Sequence, residues 1–541
     1  MMNRARGSTT AILLAFFFMA CGPSTSATEP EGSGGSGSGA GGPGSVAGSS
    51  TSTGGSTGSG GTDASASTGS GGAGGEPPGD GGAGGSSTGG GPPVVEPTLI
   101  TSGPNDYWKT GTPTEVTSGN ADVTVDEATT HQRWDGFGGT FNEVGWNVLS
   151  MLGEAERARA IELLFDKHEG AAFAYGRIPI GASDYAMDRY TLDETPNDTA
   201  MASFSIDRDK ERLIPYIKAA LVVRPGLHLW ASPWTPPTWM KSNGAFDGGR
   251  MKDDASTLQA YALYLAKFVE AYAGEGITIE AVHPQNEPNY ETRYPSCTWT
   301  GALMAKFIGT YLGPTFADRG LTAQIYLGTM SNNESGKDGA IISAVTGDAT
   351  AMGYVKGFGL QWNMMSSASG LRSRNLPIVQ TEHKCGNYPW NPTGSPPFDA
   401  QKAPNDHAYA EESWGLIRDW IKAGVTSYSA WNMVLDTAGK NLDSERPWPQ
   451  NALLTVDTAA KTLNVTPVYH VFRHVSEYVD PGATRVATTG GDALAFKNPD
   501  GSIVTILYNS GNAAKMTVLD VAGKKLQFSV PAHGWATVNW T

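Results

Sequence analysis

From Trp134 to about Tyr478, short runs of apolar and β-branched residues alternate with longer stretches of helical periodicity, and no other feature narrows the possible folds as much. Candidate strands end at Gly139, Ile180, Ser232, Glu287, Gly328, Trp362, Glu382 and Trp431. Candidate helices between them include residues 154–165, 210–221, 257–273 and 407–423. Eight strand–helix units of roughly 40 residues are what an eight-fold barrel of parallel strands requires. The pattern predicts an α/β chain: a (β/α)8 TIM barrel over residues 134–480, closed by a helix at 466–478. After Pro481 the period shifts to short alternating strands around Ala493, Ile503, Met516 and Trp535, with turns at Asn498-Pro-Asp-Gly501 and Ser510-Gly511. That predicts a C-terminal antiparallel β-sandwich side domain over 481–541. Residues 93–133 are expected to add strands to it, Asp122 to Val125 among them.

Upstream, the composition changes. Of the 70 glycines, 27 fall in residues 31–91, a window with no aromatic side chain. Such a stretch cannot bury enough surface to offset the entropy of ordering it, so 21–92 reads as a Gly/Ser-rich disordered linker. Ahead of it, Arg4 and Arg6 precede an apolar run from Ala11 to Met19 that ends in Ala20-Cys21. The run is too short for a membrane span, which needs about 20 residues, and reads as a signal peptide over 1–20. Cysteine directly after a small residue resembles the lipobox of bacterial lipoproteins, which makes Cys21 the expected lipidation site; the alternative is plain secretion. A tether of roughly 70 residues has an r.m.s. reach of ~45 Å. The expected location is therefore exported, surface or periplasmic, with membrane contact only through the lipid anchor.

Several function classes are excluded. The formal charge of −15 becomes −17 without Arg4 and Arg6, which argues against nucleic acid as a partner. Gly136-Phe-Gly-Gly139 lacks the third glycine of a dinucleotide loop, where Phe141 stands, and no Walker lysine follows. His283 is isolated from other strand-end ligands, so no metal and no cofactor are expected, and a hydrogen bond near Glu287 is its expected role. Three cysteines are too few for a disulfide scaffold; Cys297 and Cys385 are either a bridge between two loops or two separate thiols.

Two glutamates carry the chemistry. In a barrel of this kind, reacting groups sit at the C-terminal strand ends. Glu287 follows Ile279-Glu-Ala-Val-His-Pro-Gln-Asn286, and Glu382 follows Leu376-Pro-Ile-Val-Gln-Thr381. These count as strands four and seven and place both carboxylates on one rim. A carboxylic acid facing a carboxylate across a cleft is the equipment for cleaving glycosidic bonds. One strand-end Glu alone is more often a rim salt bridge; two, with Asn before the first, favour catalysis.

The motifs His283-Pro-Gln-Asn-Glu-Pro288 and Gln380-Thr-Glu382 resemble the acid/base and nucleophile motifs of clan A glycoside hydrolases. Asp135-Gly-Phe-Gly-Gly139, Arg177-Ile-Pro-Ile-Gly-Ala-Ser-Asp184, Phe204-Ser-Ile-Asp207 and Ala231-Ser-Pro-Trp-Thr-Pro-Pro-Thr-Trp-Met-Lys-Ser-Asn243 narrow this. From about Val123 to Trp540 the chain resembles glycoside hydrolase family 30, the glucosylceramidase-like family. The resemblance implies a retaining glycosidase acting on a carbohydrate or glycoconjugate, with Glu287 as acid/base and Glu382 as nucleophile. It further implies substrate-binding roles for Asn286, at a sugar 2-hydroxyl, for Glu143, at distal hydroxyls, and for Arg177, Trp234, Trp362 and Trp431. A monomer is expected.

The sequence also departs from the glucosylceramidase pattern. Strand six reads Gly359-Leu-Gln-Trp-Asn363, where relatives carry His and Tyr, so Gln361, Asn363 or another loop must support the nucleophile. The context of Glu143 resembles bacterial branches, which include β-glucosidases, β-fucosidases, β-xylosidases and endo-β-1,6-glucanases. A non-catalytic carbohydrate-binding barrel is the reading from a different class, and it lacks a reason for both carboxylates.

Overall fold

The computed structural model describes residues 97–332, 336–383, 406–443 and 450–540. The expected signal peptide, Cys21, the linker and Cys385 lie outside the described residues. The barrel strands are β1 (Gly136–Thr140), β2 (Tyr175–Ile180), β3 (His228–Pro233), β4 (Ala281–Val282), β5 (Gln324–Met330), β6 (Val355–Leu360), β7 (Ile378–His383) and β8 (Ser427–Asn432). They pair in parallel in chain order, and β8 closes on β1 with Ser427 opposite Gly136 and Ala430 opposite Gly139. Every residue of β8 is buried, as expected where helices cover a parallel sheet outside and side chains fill it inside.

The helices follow from their caps. Asp254 starts Ala255–Gly274 by accepting from the Thr257 N–H at 2.9 Å, and Asp406 starts His407–Ala423 by accepting from Ala408 at 2.8 Å. Gly424, at φ +103, ends the latter in the left-handed region where a side chain is strained. Glu154–Phe165 forms as the periodicity predicts. The third helix runs Leu213–Val223, not from 210, because a short 3-10 turn at Asp209–Glu211 precedes it. Asp209 is drawn inward there by the hydroxyls of Tyr190 and Tyr272, each donating at 2.9 Å.

Two strand ends differ from expectation. β4 stops at Val282 instead of running to Glu287, because Pro284 has no N–H for the ladder. The chain from His283 to Glu287 instead bonds irregularly to both neighbours: Asn286 N to Pro233 O at 2.8 Å and Glu287 N to Thr329 O at 3.0 Å. β6 stops at Leu360, and Trp362 opens a 3-10 turn with φ +48.

The side domain is a single hydrogen-bonded order of ten strands. Thr98–Gly103, Asp106–Gly111, Thr114–Val116 and Val123–Arg133 come from before the barrel; six strands from Thr484–Thr489 to Gly534–Trp540 come after it. Lys524–Val530 also lies close to Ile503–Asn509 and Gly534–Trp540, far from it in that order, so the sheet curls into two layers. Its own core includes Val125, Leu507, Leu526 and Phe528. One pair is parallel, Val123–Arg133 with Lys515–Val521, against the expectation of a purely antiparallel arrangement.

The closing helix Pro467–Ser476 joins the two parts. Its buried His474 bonds Thr537 Oγ1 on one side and Ser102 Oγ on the other, both at 2.8 Å. Trp134, Phe496 and Trp535 belong to the same apolar core as the barrel, so the domains share an interior. A small sheet unannounced by the sequence, Val434–Asp436, Leu454–Asp457 and Thr462–Val465, covers the exit of β8.

Candidate active site

Glu287 and Glu382 meet at the C-terminal mouth of the barrel, both nearly buried, at 9% and 6% exposure. Their surroundings are unequal. Arg177, from β2 and fully buried, donates from Nη1 to Glu382 Oε2 at 2.6 Å. The Trp362 indole N–H donates to the other oxygen of Glu382 at 3.1 Å. Glu287 accepts instead from a neutral amide, Gln361 Nε2, at 3.2 Å. Gln361 is held in that orientation because its own oxygen accepts from Thr381 Oγ1 at 2.8 Å. It also lies within hydrogen-bonding reach of Glu382, so one side chain just past the end of β6 spans both carboxyls.

The electrostatics follow. Burial pushes the Glu287 carboxyl up, and the charges of Glu382 and Asp184 push it further. Burial also raises Glu382, but Arg177 and Trp362 oppose that rise. The proton shared by the pair therefore belongs to Glu287, and the negative charge to Glu382.

Asn286 is fixed by two donors to its oxygen, Arg177 Nη2 and Thr329 Oγ1, both at 2.7 Å, which leaves its NH2 to face elsewhere. Trp234 and Trp431 stack on each other at 5.3 Å, and the Arg177 guanidinium lies 4.4 Å from the Trp234 ring centre. With Tyr185 and Tyr294 they form a separate aromatic cluster at the mouth. These placements bring Arg177, Trp234, Asn286, Glu287, Trp362, Glu382 and Trp431 together.

Glu143 does not join them. Its carboxylate is taken up by Arg208, at 3.1 and 3.0 Å, and by the Met187 N–H at 2.7 Å, which makes it a buried brace between loops. His283 does not bond Glu287 either. It sits inside the barrel, 4.4 Å from the Trp230 ring, and its Nδ1 finds no partner among the described residues. A Cβ on Gly359 would lie 2.5 Å from that nitrogen, so glycine there makes room for the imidazole. Cys297 is a buried free thiol.

The residue the sequence reading passed over is Asp184, the last position of the Arg177–Asp184 motif. It is buried, one of its oxygens has no hydrogen-bond partner among the described residues, and burial beside Glu382 raises its carboxyl far above the usual range. Its signal was present: a strand-end acid seven positions after Arg177. Among the described residues, no group of three or more His, Cys, Asp or Glu is arranged to hold a metal.

The sequence profile of the glycosyl hydrolase family 30 TIM-barrel domain matches residues 134–479, and that of the family's β-sandwich domain matches 482–538. The chain belongs to glycoside hydrolase family 30. It is a glycosidase, and its barrel and sandwich are those of the family. Similar chains include putative glucosylceramidase 3 of Caenorhabditis elegans, 28% identical over 78% of this chain and 82% of the relative. Endo-1,6-beta-D-glucanase of Neurospora crassa is 26% identical over 78% of this chain and 86% of its own. Among solved structures, SrfJ from Salmonella typhimurium shares the fold with a TM-score of 0.72 at 23% identity, over 82% of this chain and 99% of its own.

Proposed function

We propose that this family 30 enzyme is a retaining β-glycosidase acting by double displacement, with Glu287 as acid/base and Glu382 as nucleophile. The observation that carries the assignment is the unequal bonding of the two carboxyls: Arg177 and Trp362 on Glu382, an amide alone on Glu287. Glu382 Oε attacks the anomeric carbon as the bond to the leaving oxygen breaks, and Glu287 gives that oxygen its proton. The result is a glycosyl ester on Glu382 and a free alcohol. Glu382 no longer carries charge, so Glu287 ionises more readily and accepts a proton from water, whose oxygen displaces the ester with a second inversion.

The remaining groups hold the sugar. Asn286, its oxygen occupied, offers its NH2 to the 2-hydroxyl of the bound ring. Asp184 offers its unpartnered oxygen to another hydroxyl, and Trp431 supplies an apolar wall. β-Glucosides are the first substrates to try, since the relatives include a putative glucosylceramidase and an endo-1,6-β-glucanase; β-fucosides and β-xylosides are the alternatives. Azide tests the roles. With an activated β-glycoside, Glu382→Ala plus azide should yield the α-glycosyl azide, and Glu287→Ala the β-glycosyl azide. The opposite pairing refutes the assignment.

The leader Arg4–Cys21 and the glycine-rich stretch after it support an exported enzyme tethered by lipid on Cys21. Cys21→Ser should release the enzyme from membranes; membrane retention of the variant rules the anchor out.

A further inference from the structure

The register between β7 and β8 slips at Glu382. Val379 lies opposite Ser427 and Gln380 opposite Tyr428, but the next pair is His383 with Ala430, so β7 advances three residues while β8 advances two. Thr381 and Glu382 therefore sit in a β-bulge, a device that re-aims a side chain and interrupts the regular ladder.

Side chains supply what the ladder does not. Gln380, 2% exposed, immediately precedes the bulge. Its Nε2 donates to the Glu382 carbonyl at 2.6 Å, and its Oε1 accepts from the Ser429 N–H of β8 at 3.2 Å. A carbonyl can only accept and an N–H can only donate, so the two partners fix which end of the amide is which. The Thr381 carbonyl accepts from Arg177 Nη1 at 3.4 Å. Both carbonyls of the bulge thus have donors, as buried peptide groups must.

The far end is held from the helix side of the barrel. His383 is buried, its Nδ1 bonds the Tyr428 hydroxyl, and its Nε2 lies 3.1 Å from Ser413 Oγ on the helix His407–Ala423. Phe472 of the closing helix meets the imidazole edge-on at 5.5 Å. Tyr428 and Ser429, adjacent on β8, therefore grip the two ends of the bulge, one through His383 and the other through Gln380. Glu382 lies between these anchors, and of the two only the Gln380 amide bonds the backbone of Glu382 itself.

We propose that Gln380 is a positioning residue for the reaction: its amide staples the bulge so that the Glu382 carboxylate faces the anomeric carbon, with His383 as the second anchor. This inference rests on Glu382 being the nucleophile. Attack needs the oxygen about 3–3.5 Å from the carbon and aligned with the departing bond, and a misplacement of about 1 Å costs on the order of 100-fold. Without the staple, the Thr381–Glu382 peptide is free to rotate and swing the carboxylate. Asn286, Asp184 and Trp431 belong to other strands and loops, so the contacts proposed to hold the sugar stay in place. Loss of Gln380 therefore slows attack more than it weakens binding.

The test uses the full-length enzyme and an activated aryl β-glycoside. Active sites are counted by mass spectrometry from the fraction labelled by a 2-deoxy-2-fluoro analogue, so misfolded protein drops out of the rate. Gln380→Met keeps the length of the side chain but neither its donor nor its acceptor. Its kcat/KM per site should fall by roughly tenfold or more, while the Ki of the corresponding free sugar moves less than about twofold. A kcat/KM within about threefold of wild type, or a Ki that rises in step with the loss, overturns the positioning role.

Gln380→Glu carries the test should Gln380→Met fail to fold. As a carboxylic acid the new side chain keeps one donor and one acceptor; once ionised it has nothing to donate to the Glu382 carbonyl. Its kcat/KM relative to wild type should fall at least about fivefold between about pH 5 and about pH 8, where a buried glutamate ionises. The added charge alone would act in the opposite sense, raising the pKa of Glu287 and extending activity to higher pH. A ratio that stays flat or rises overturns the proposal. Azide with Glu382→Ala reports on the nucleophile independently of Gln380, and a reversed product there would overturn the role assignment and this inference with it.

Discussion

Arg177 Nη1 donates to Glu382 Oε2 at 2.6 Å across the barrel, from β2 to β7, with the arginine fully buried. The same guanidinium donates to Asn286 and to Ser232, so one side chain sets the charge of Glu382 and the orientation of the residue beside Glu287. Arg177→Leu removes the cation and leaves Glu382 to be neutralised by protonation. Turnover of an activated aryl glycoside should fall by roughly 10²–10³, read as kcat with folding checked by circular dichroism. Retention of more than a third of wild-type kcat would show that Glu382 does not depend on this pair.

Gln361 sits between the carboxyls and donates to Glu287, which favours the ionised form of that group. Loss of the donor must therefore raise the pKa of Glu287. The alkaline limb of kcat/KM, where Glu287 loses the proton needed for the first step, should lie well above the ordinary glutamate range, as its burial dictates. In Gln361→Leu it should move further up. A downward shift would mean that Gln361 stabilises the protonated acid.

How much of this was legible in the sequence varies by element, for physical reasons. The helices 154–165 and 407–423 were readable because their apolar period is regular. Barrel order was readable because strands and helices alternate. Glu287 and Glu382 were readable because each follows a buried run at a strand end. The irregular path from His283 to Glu287 was not, since it depends on Pro284 breaking the ladder while β3 and β5 supply the missing partners. The surroundings of Glu143 and Asp184 were not legible for a related reason. Both are acids soon after a strand, and only the fold puts Arg208 against one and Glu382 beside the other. The support for Glu382 was left open among Gln361, Asn363 and another loop, and Trp362, expected to bind substrate, supplies a hydrogen bond through its left-handed turn.

Asp209 gives a stability prediction away from the chemistry. Its carboxyl is fully buried, and burial lifts it to about 7 even though Tyr190 and Tyr272 both donate to it. An acid whose folded pKa exceeds its unfolded one binds more protons when folded. Its contribution to stability is complete below the unfolded value of 3.8, declines as pH rises through 7, and is flat above. The melting temperature of the wild type relative to Asp209→Asn should accordingly drop between pH 4 and pH 7 and then level off. A difference that grows with pH in that window would contradict the assignment.

The covalent intermediate on Glu382 is the centre of the account, and trapping it is the most direct measurement. An activated 2-deoxy-2-fluoro β-glycoside slows both steps but leaves the first faster, so the ester accumulates. Mass spectrometry of the digested protein should find one sugar attached to the peptide containing Glu382, with activity lost in step with labelling. A label on Glu287, or full turnover with an inverted product and no attached sugar, would contradict it.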